Sequence, residues 1–214
     1  MTETLLIILL TAAAYLLGSV SNAVWIGKTF YGTDVRAPGS HNAGATNTMR
    51  ILGRRAGIAV FVLDFLKGFI AVSLAALLPY AAGSPALFNM KFVLTAAVVL
   101  GHIFPLFAGF RGGKGVATLA GAVLAVYPPA VLLCLATFAV VFMLCRYVSL
   151  ASMTAGILLP VYTVFVFGQH YLPLILFCCA VSVLLLITHR KNIGRLLAGT
   201  EPKTYFHKRP DRTE

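Results

Sequence analysis

Apolar residues along the chain gather into seven runs, at approximately 4–27, 55–80, 90–109, 116–128, 130–145, 152–168 and 172–188. Several approach the ~20 residues that an α-helix needs to cross a bilayer. An open sheet edge cannot face lipid, because its unpaired backbone groups find no water there, so helices are the expected form of every run. The fourth and fifth runs are short and meet at Pro128-Pro129, which suits a tight helix–helix turn. Two readings therefore stay open: seven crossings, or five crossings plus one short re-entrant hairpin. The first run is preceded by Glu3 and by no Lys or Arg, the wrong flank for a cleaved signal peptide, so it is expected to remain as the first helix. The expected fold is an all-α integral membrane protein with one domain over 1–214 and a flexible tail over 202–214.

Composition excludes a soluble enzyme. Of 214 residues, 59% are hydrophobic and 11% charged, and the mean hydropathy is +0.91; a soluble domain is about half apolar and a quarter charged. The net charge is +11, from 17 Lys and Arg against 6 Asp and Glu. On a soluble chain that would suggest nucleic acid. Here fifteen of the 17 basic residues fall in alternate loops and the C-terminal tail, and the opposite loops hold only Lys91. By the positive-inside rule the N-terminus is expected outside and the basic loops in the cytoplasm. Nucleic acid drops out as a partner. Cys134, Cys145, Cys178 and Cys179 lie in apolar runs without metal-ligand spacing, and no cluster of Asp and Glu stands ready for a metal, so neither metal nor cofactor is expected.

The unusual polar residues sit on the same basic side. The first loop, from Asp34 to Arg50, holds Gly39, Ser40, Asn42, Gly44, Ala45, Thr46 and Asn47 between Arg36 and Arg50. Small and capping residues of this kind can turn backbone N–H groups toward an anion at a helix start, and guanidinium groups grip phosphate with paired hydrogen bonds. The second loop contains Gly112, Gly113, Lys114 and Gly115 after His102. It is no Walker A loop: Ala108 stands where the first glycine belongs and Gly115 follows the lysine. Its glycines still permit close approach of an anion, and Lys114 supplies a charge. Ser149 and Ser152 follow Arg146 in a third patch, and a fourth runs from His189 through Asn192 and Arg195 to Glu201. An ordinary polar turn or a basic lipid-facing tail explains each alone; four on one face point to a site for phosphate-bearing molecules. Asp64 and Lys67 lie three apart inside the second run, where an internal ion pair and a role for Lys67 in the site are both open.

These motifs resemble a known family, the bacterial acyl-phosphate-dependent glycerol-3-phosphate acyltransferases of the PlsY type. The matching pieces are Gly39-Ser40-x-Asn42-x-Gly44-Ala45-Thr46-Asn47-x-x-Arg50, Asp64-Phe65-x-Lys67-Gly68, Gly101-His102-x-x-Pro105 with Gly112-Gly113-Lys114-Gly115, and His189-Arg190-x-Asn192-Ile193-x-Arg195-Leu196-x-x-Gly199-x-Glu201. Ser21 departs from the proline of the family's Ser-x-Pro-x. The resemblance implies acyl transfer from acyl phosphate to the 1-hydroxyl of sn-glycerol 3-phosphate, at the cytoplasmic face of the bacterial inner membrane, by a chain sufficient as a monomer. The product is lysophosphatidic acid, in the first step of phospholipid synthesis. The family's first motif maps to the loop around Ser40 and Arg50, its second to Gly112, Gly113, Lys114 and Gly115, and its third to His189, Asn192, Arg195 and Glu201. The second is associated with glycerol 3-phosphate. Arg36 and Ser152 are expected at the site on physical grounds alone.

The residue chemistry fits. Two phosphates repel, so a cationic site is required. The first loop is expected to hold acyl phosphate, while Lys114, Arg50, Asn192 and one of Ser149 or Ser152 hold glycerol 3-phosphate. Glu201 is expected to tether the tail to a basic residue. The His-x-x-x-x-Asp pair of other glycerolipid acyltransferases is absent, which leaves His189 or the substrate's own phosphate as proton acceptor. The competing class, a small anion transporter, needs polar residues reaching the midplane from both sides and an internal repeat; the chain offers neither.

Overall fold

The computed structural model describes residues 2–205, and among them every regular element is helical. The α-helices are, in order, α1 (Glu3–Ser19), α2 (Asn22–Tyr31), α3 (Ala45–Leu52), α4 (Arg54–Ser73), α5 (Pro85–Ile103), α6 (Val116–Val126), α7 (Pro128–Cys145), α8 (Val148–Val161), α9 (Leu172–Thr188) and α10 (Arg190–Leu197). Their starts follow local chemistry. The Thr2 and Ser84 hydroxyls accept the amides of Leu5 and Leu87, at 3.4 and 3.2 Å, and Pro85 and Pro128 occupy first-turn positions where no amide is missed. Pro160 near the end of α8 precedes a wider π turn, Tyr162–Val166.

All seven apolar runs are helical, but they differ in their fitness to cross a membrane. With their short extensions, Arg54–Leu77, Pro85–Ala108, Pro128–Cys145 and Val148–Val166 are long and apolar enough. Two bent pairs raise the number to six, α1 with α2 at 42° and α9 with α10 at 61°. The first run is therefore not one continuous rod as expected. The fourth run is α6, only 11 residues; it rises about 16 Å, roughly half the hydrocarbon thickness. Of the fourth and fifth runs, α7 is long and apolar enough to cross on its own, and α6 is not. Of the expected flexible tail, residues 206–214, with Lys208, Arg209 and Arg212, lie outside the described residues; Thr204 is buried.

Glycines set the helix spacing. A Cβ on Gly18 of α1 would strike the Val98 carbonyl of α5, and one on Gly101 of α5 would strike the Tyr15 carbonyl of α1. Gly68 of α4 and Gly121 of α6 make the same reciprocal arrangement with the carbonyls of Thr118 and Phe65. Small residues let backbones approach, the main source of helix packing where lipid removes the hydrophobic driving force. Around these contacts Ala14, Ala71, Leu94, Val98 and Ala122 form a buried core. Leu132, Met143, Leu144, Phe165 and Leu176 point outward and exposed, an apolar belt for lipid.

The break between α1 and α2 is held by a buried charge. Lys67 of α4 donates to the carbonyls of Gly18 and Val20, at 3.1 and 2.9 Å, and lies 2.8 Å from Asp64 Oδ1. All three ammonium donors are thus used. Asn22, at the start of α2, donates to the same Asp64 oxygen at 2.9 Å. The carbonyls freed where α1 ends would otherwise face an apolar interior without partners. Lys67 is 6% exposed and wholly committed to this joint, so it does not enter the site as a substrate ligand. Replacing it with Met leaves the Asp64 charge without its ion-pair partner and two carbonyls without this donor. K67M should lose ~3–5 kcal/mol of stability, measured by unfolding in detergent, and the D64N/K67M double variant should recover part of that loss.

Candidate active site

The first loop is organised from inside by Asn47, which is 2% exposed. Its amide nitrogen donates to the carbonyls of Val35 and Asn42, at 2.7 and 3.0 Å, and its oxygen accepts the Ser40 amide at 2.9 Å. Gly39 sits beside this amide at φ +67°, where a side chain would meet Asn47 Oδ1. Asn47 and Gly39 thus shape the loop, and the Ser40 N–H is already used. The anion donors that remain are at the amino end of α3. Gly44 caps it in extended conformation, and the first helical bond runs from the Thr48 amide to the Gly44 carbonyl at 3.0 Å. That leaves the N–H groups of Ala45, Thr46 and Asn47 outside the helical ladder. Ser40, Asn42, Gly44, Ala45 and Thr46 line the cavity beside them, and Asn42 Oδ1 is buried without a protein partner.

The second loop is packed under the first. The Gly112 and Gly113 amides donate to the carbonyls of Ile103 and His102, at 3.1 and 3.3 Å. A Cβ on Gly113 would come 2.7 Å from the Ala43 carbonyl. These glycines are required for close packing, and, against expectation, their N–H groups are not offered to an anion. Gly115 turns at φ +78° into α6 and lines the cavity with Lys114. Arg36 departs from expectation too. Its guanidinium holds Asp34 at 2.7 Å and the Ala108 and Arg111 carbonyls at 2.6 and 3.1 Å, clamping the two loops together away from the cavity. That pairing holds the Asp34 carboxyl well below the usual carboxylate range. His102 lies in the cavity floor, its Nδ1 3.1 Å from Thr118 Oγ1.

Glu201 joins the remaining patches. Its Oε1 accepts from Ser149 Oγ of α8 and from Asn192 Nδ2 of α10, both at 2.6 Å, and its Oε2 accepts from Arg195 Nε at 2.7 Å. Burial opposes ionisation of this carboxyl, but those three hydrogen bonds outweigh it and hold the group below its ordinary range. The expected tether to a basic residue is this contact with Arg195; Glu201 lines the cavity, whereas Arg195 stands behind it and, against expectation, does not. Asn192 in turn accepts from Lys114 Nζ through Oδ1, joining the second loop to the fourth patch. His189 Nδ1 lies 2.8 Å from the Leu185 carbonyl; a carbonyl only accepts, so Nδ1 carries the proton and Nε2 of the neutral ring is free to accept one. Arg50 Nη2 donates to the Pro202 carbonyl and Thr204 Oγ1, both at 3.0 Å.

These groups close around one cavity of about 420 Å³. Arg50, Lys114, Ser149, Ser152, His189 and Asn192 lie at its polar end. Beyond them it runs between helices along Phe138 and Phe142 of α7, Ala155 and Leu159 of α8, Val181 and Leu185 of α9 and Val123 of α6. The shape suits a molecule with an anionic head and a long apolar chain. Thr204 and Asp64 also line the cavity, and nothing in the sequence alone places them there. Thr204 carries no motif of its own, and Asp64 reads only as a partner for Lys67.

Comparison with known proteins agrees. The family model described as Glycerol-3-phosphate acyltransferase matches residues 8–199. A glycerol-3-phosphate acyltransferase of Fusobacterium nucleatum subsp. nucleatum is 42% identical over 192 residues, 90% of this chain and 95% of that one. The crystal structure of PlsY (YgiH), an integral membrane glycerol 3-phosphate acyltransferase, in its glycerol 3-phosphate form, is 41% identical with a TM-score of 0.83, covering 93% of this chain and 96% of that one. The lysophosphatidic acid form of PlsY is 39% identical with a TM-score of 0.79, over 94% and 96% of the two chains.

Burial pushes the Lys114 ammonium down to about 8, partly offset by Glu201. The charge is therefore present below that pH and lost above it. Affinity for a phosphate monoester should be steady from pH 7 to 7.5 and should fall by up to ~10-fold per pH unit above 8, measured by calorimetric titration. K114R should carry the plateau past pH 9.

Proposed function

The chain belongs to the glycerol-3-phosphate acyltransferase family, and from that premise we propose that it transfers an acyl chain from acyl phosphate to the 1-hydroxyl of sn-glycerol 3-phosphate. The observation that carries the reading is one cavity that is cationic at one end and apolar along its arm. The products are lysophosphatidic acid and inorganic phosphate, and the reaction opens phospholipid synthesis. On this reading the enzyme works in the bacterial inner membrane, with the short α6 counted among seven crossings, its N-terminus outside and its basic loops in the cytoplasm. The 15-to-1 distribution of basic residues supports that orientation. All the proposed site residues come from one chain, which supports a monomer.

The amino end of α3, with Ser40, Asn42 and Thr46, holds the acyl phosphate and stabilises charge on the departing phosphate and the carbonyl oxygen. Arg50, Lys114, Asn192 and Ser152 hold glycerol 3-phosphate. Ser149 donates to the Glu201 carboxylate and Ser152 to the Val148 carbonyl of its own helix at 2.8 Å; the local back-bond is the one a hydroxyl rotation can exchange for phosphate, which favours Ser152. The 1-hydroxyl oxygen attacks the acyl carbonyl carbon, the bond from that carbon to the phosphate oxygen breaks, and phosphate leaves with the electron pair. Phosphate is already a good leaving group, so no acyl-enzyme is needed. The hydroxyl proton passes to the phosphate of glycerol 3-phosphate, whose second pKa near 6 suits it as acceptor, with His189 Nε2 as the alternative. Holding both anions in one place supplies most of the acceleration.

Purified protein with acyl phosphate and glycerol 3-phosphate should release inorganic phosphate in step with lysophosphatidic acid. Turnover with acyl-CoA but not with acyl phosphate would overturn the donor assignment. R50A and K114A should each lower kcat/KM at least ~100-fold, and S40A should raise KM for the donor alone. Gly156 lines the apolar arm, and a side chain there would push against Leu185. G156L should therefore slow transfer of a 16-carbon chain more than that of an 8-carbon chain, read from initial rates with the two donors.

A further inference from the structure

We propose that Thr204 is a positioning residue for Arg50, and that residues 201–204 form a strap that sets the enzyme's affinity for glycerol 3-phosphate. The inference rests on the reading of Arg50 as a ligand of that substrate.

An arginine at the end of a short helix has many rotamers, and a phosphate site needs one of them. Arg50 lies in the last turn of α3, and its Nη2 is gripped by two acceptors from the far end of the chain, the Pro202 carbonyl and Thr204 Oγ1, each at 3.0 Å. A guanidinium has five N–H donors in a rigid fork. The strap takes the two on Nη2, and the donors on Nη1 and Nε remain for single charge-assisted hydrogen bonds to phosphate.

The strap itself is fixed at both ends. Glu201 is bound to α8 and α10 through Ser149, Asn192 and Arg195. Thr204 donates its amide to the Arg146 carbonyl at 2.9 Å, and Arg146 closes α7 in the left-handed region at φ 63°. Pro202 and Lys203 between these anchors are exposed, whereas Thr204 is 5% exposed and lines the cavity. A residue buried among exposed neighbours, with its hydroxyl on a cavity arginine, is placed for a purpose beyond solubility. Valine keeps the size of the threonine and removes the acceptor; serine keeps the acceptor and removes only the methyl.

The test is steady-state kinetics of the full-length enzyme, with each substrate varied in turn. T204V should raise KM for glycerol 3-phosphate ~10-fold, which is 1.4 kcal/mol of lost substrate binding, and leave KM for acyl phosphate within twofold. T204S should stay within twofold of wild type for both substrates. Thermal unfolding in detergent checks that each variant is folded, and T204A carries the same expectation as T204V should the valine not be accommodated. The inference is overturned if T204V matches wild type, if T204S is as impaired as T204V, or if both KM values rise together. Absence of turnover in the wild-type enzyme would sink the proposed reaction instead, which separates the two failures.

Discussion

An ammonium group buried in an apolar bundle is the constraint on which this architecture turns. Lys67 cannot stay charged at that depth without partners, and it takes them from the carbonyls of Gly18 and Val20 and from Asp64. The carbonyls are free because α1 stops, and α1 can stop because Lys67 is there. Asn22 fastens α2 to the same carboxylate, so the direction in which the chain leaves the break is fixed by the group that stabilises it. Everything downstream inherits that direction: the first loop, the amino end of α3, and the Arg36 clamp that lays one loop on the other.

The other bent pair repeats the principle with the opposite charge. Beyond the bend between α9 and α10 the central group is the Glu201 carboxylate, which takes donors from α8 and α10 and ties the two helices together. Arg50, Lys114 and Arg195 would repel one another across the site in the absence of an anion; Glu201 relieves part of that repulsion and burial lowers the charge held by Lys114. The resting site is thus short of negative charge and structurally ready for it. An incoming phosphate meets donors that are already aimed, and little reorganisation has to accompany binding.

The hydropathy pattern was enough to read every long helix and the turn at Pro128, because helix formation in lipid depends on little else. It could not reveal the break after Ser19, since Ser21 stands where a proline would have announced it, and the cause lies 46 residues later in Lys67. Nor could it give depth: α6 reads as apolar as its neighbours and is simply shorter. In the site, the residue types were informative and their partners were not. Ser40, Arg50, Lys114, His189 and Asn192 all line one cavity. Arg36, Gly112 and Gly113 were equally plausible anion donors by type, but an internal carboxylate and nearby carbonyls claimed them first. Thr204 was illegible because its meaning comes from Arg50, 154 residues away in sequence.

The shortness of α6 has a consequence for where the membrane ends. Packed against α4, α5 and α7, a helix that rises only about 16 Å leaves a recess above its amino end, and that recess holds Gly115 and Lys114. The boundary between water and hydrocarbon is folded inward at this point. On the proposed reaction a polar metabolite enters through that recess, and the lipid chain lies along the cavity arm lined by α6, α7, α8 and α9. The product then needs no carrier: its head rises to the headgroup layer as its chain stays where lipid chains belong.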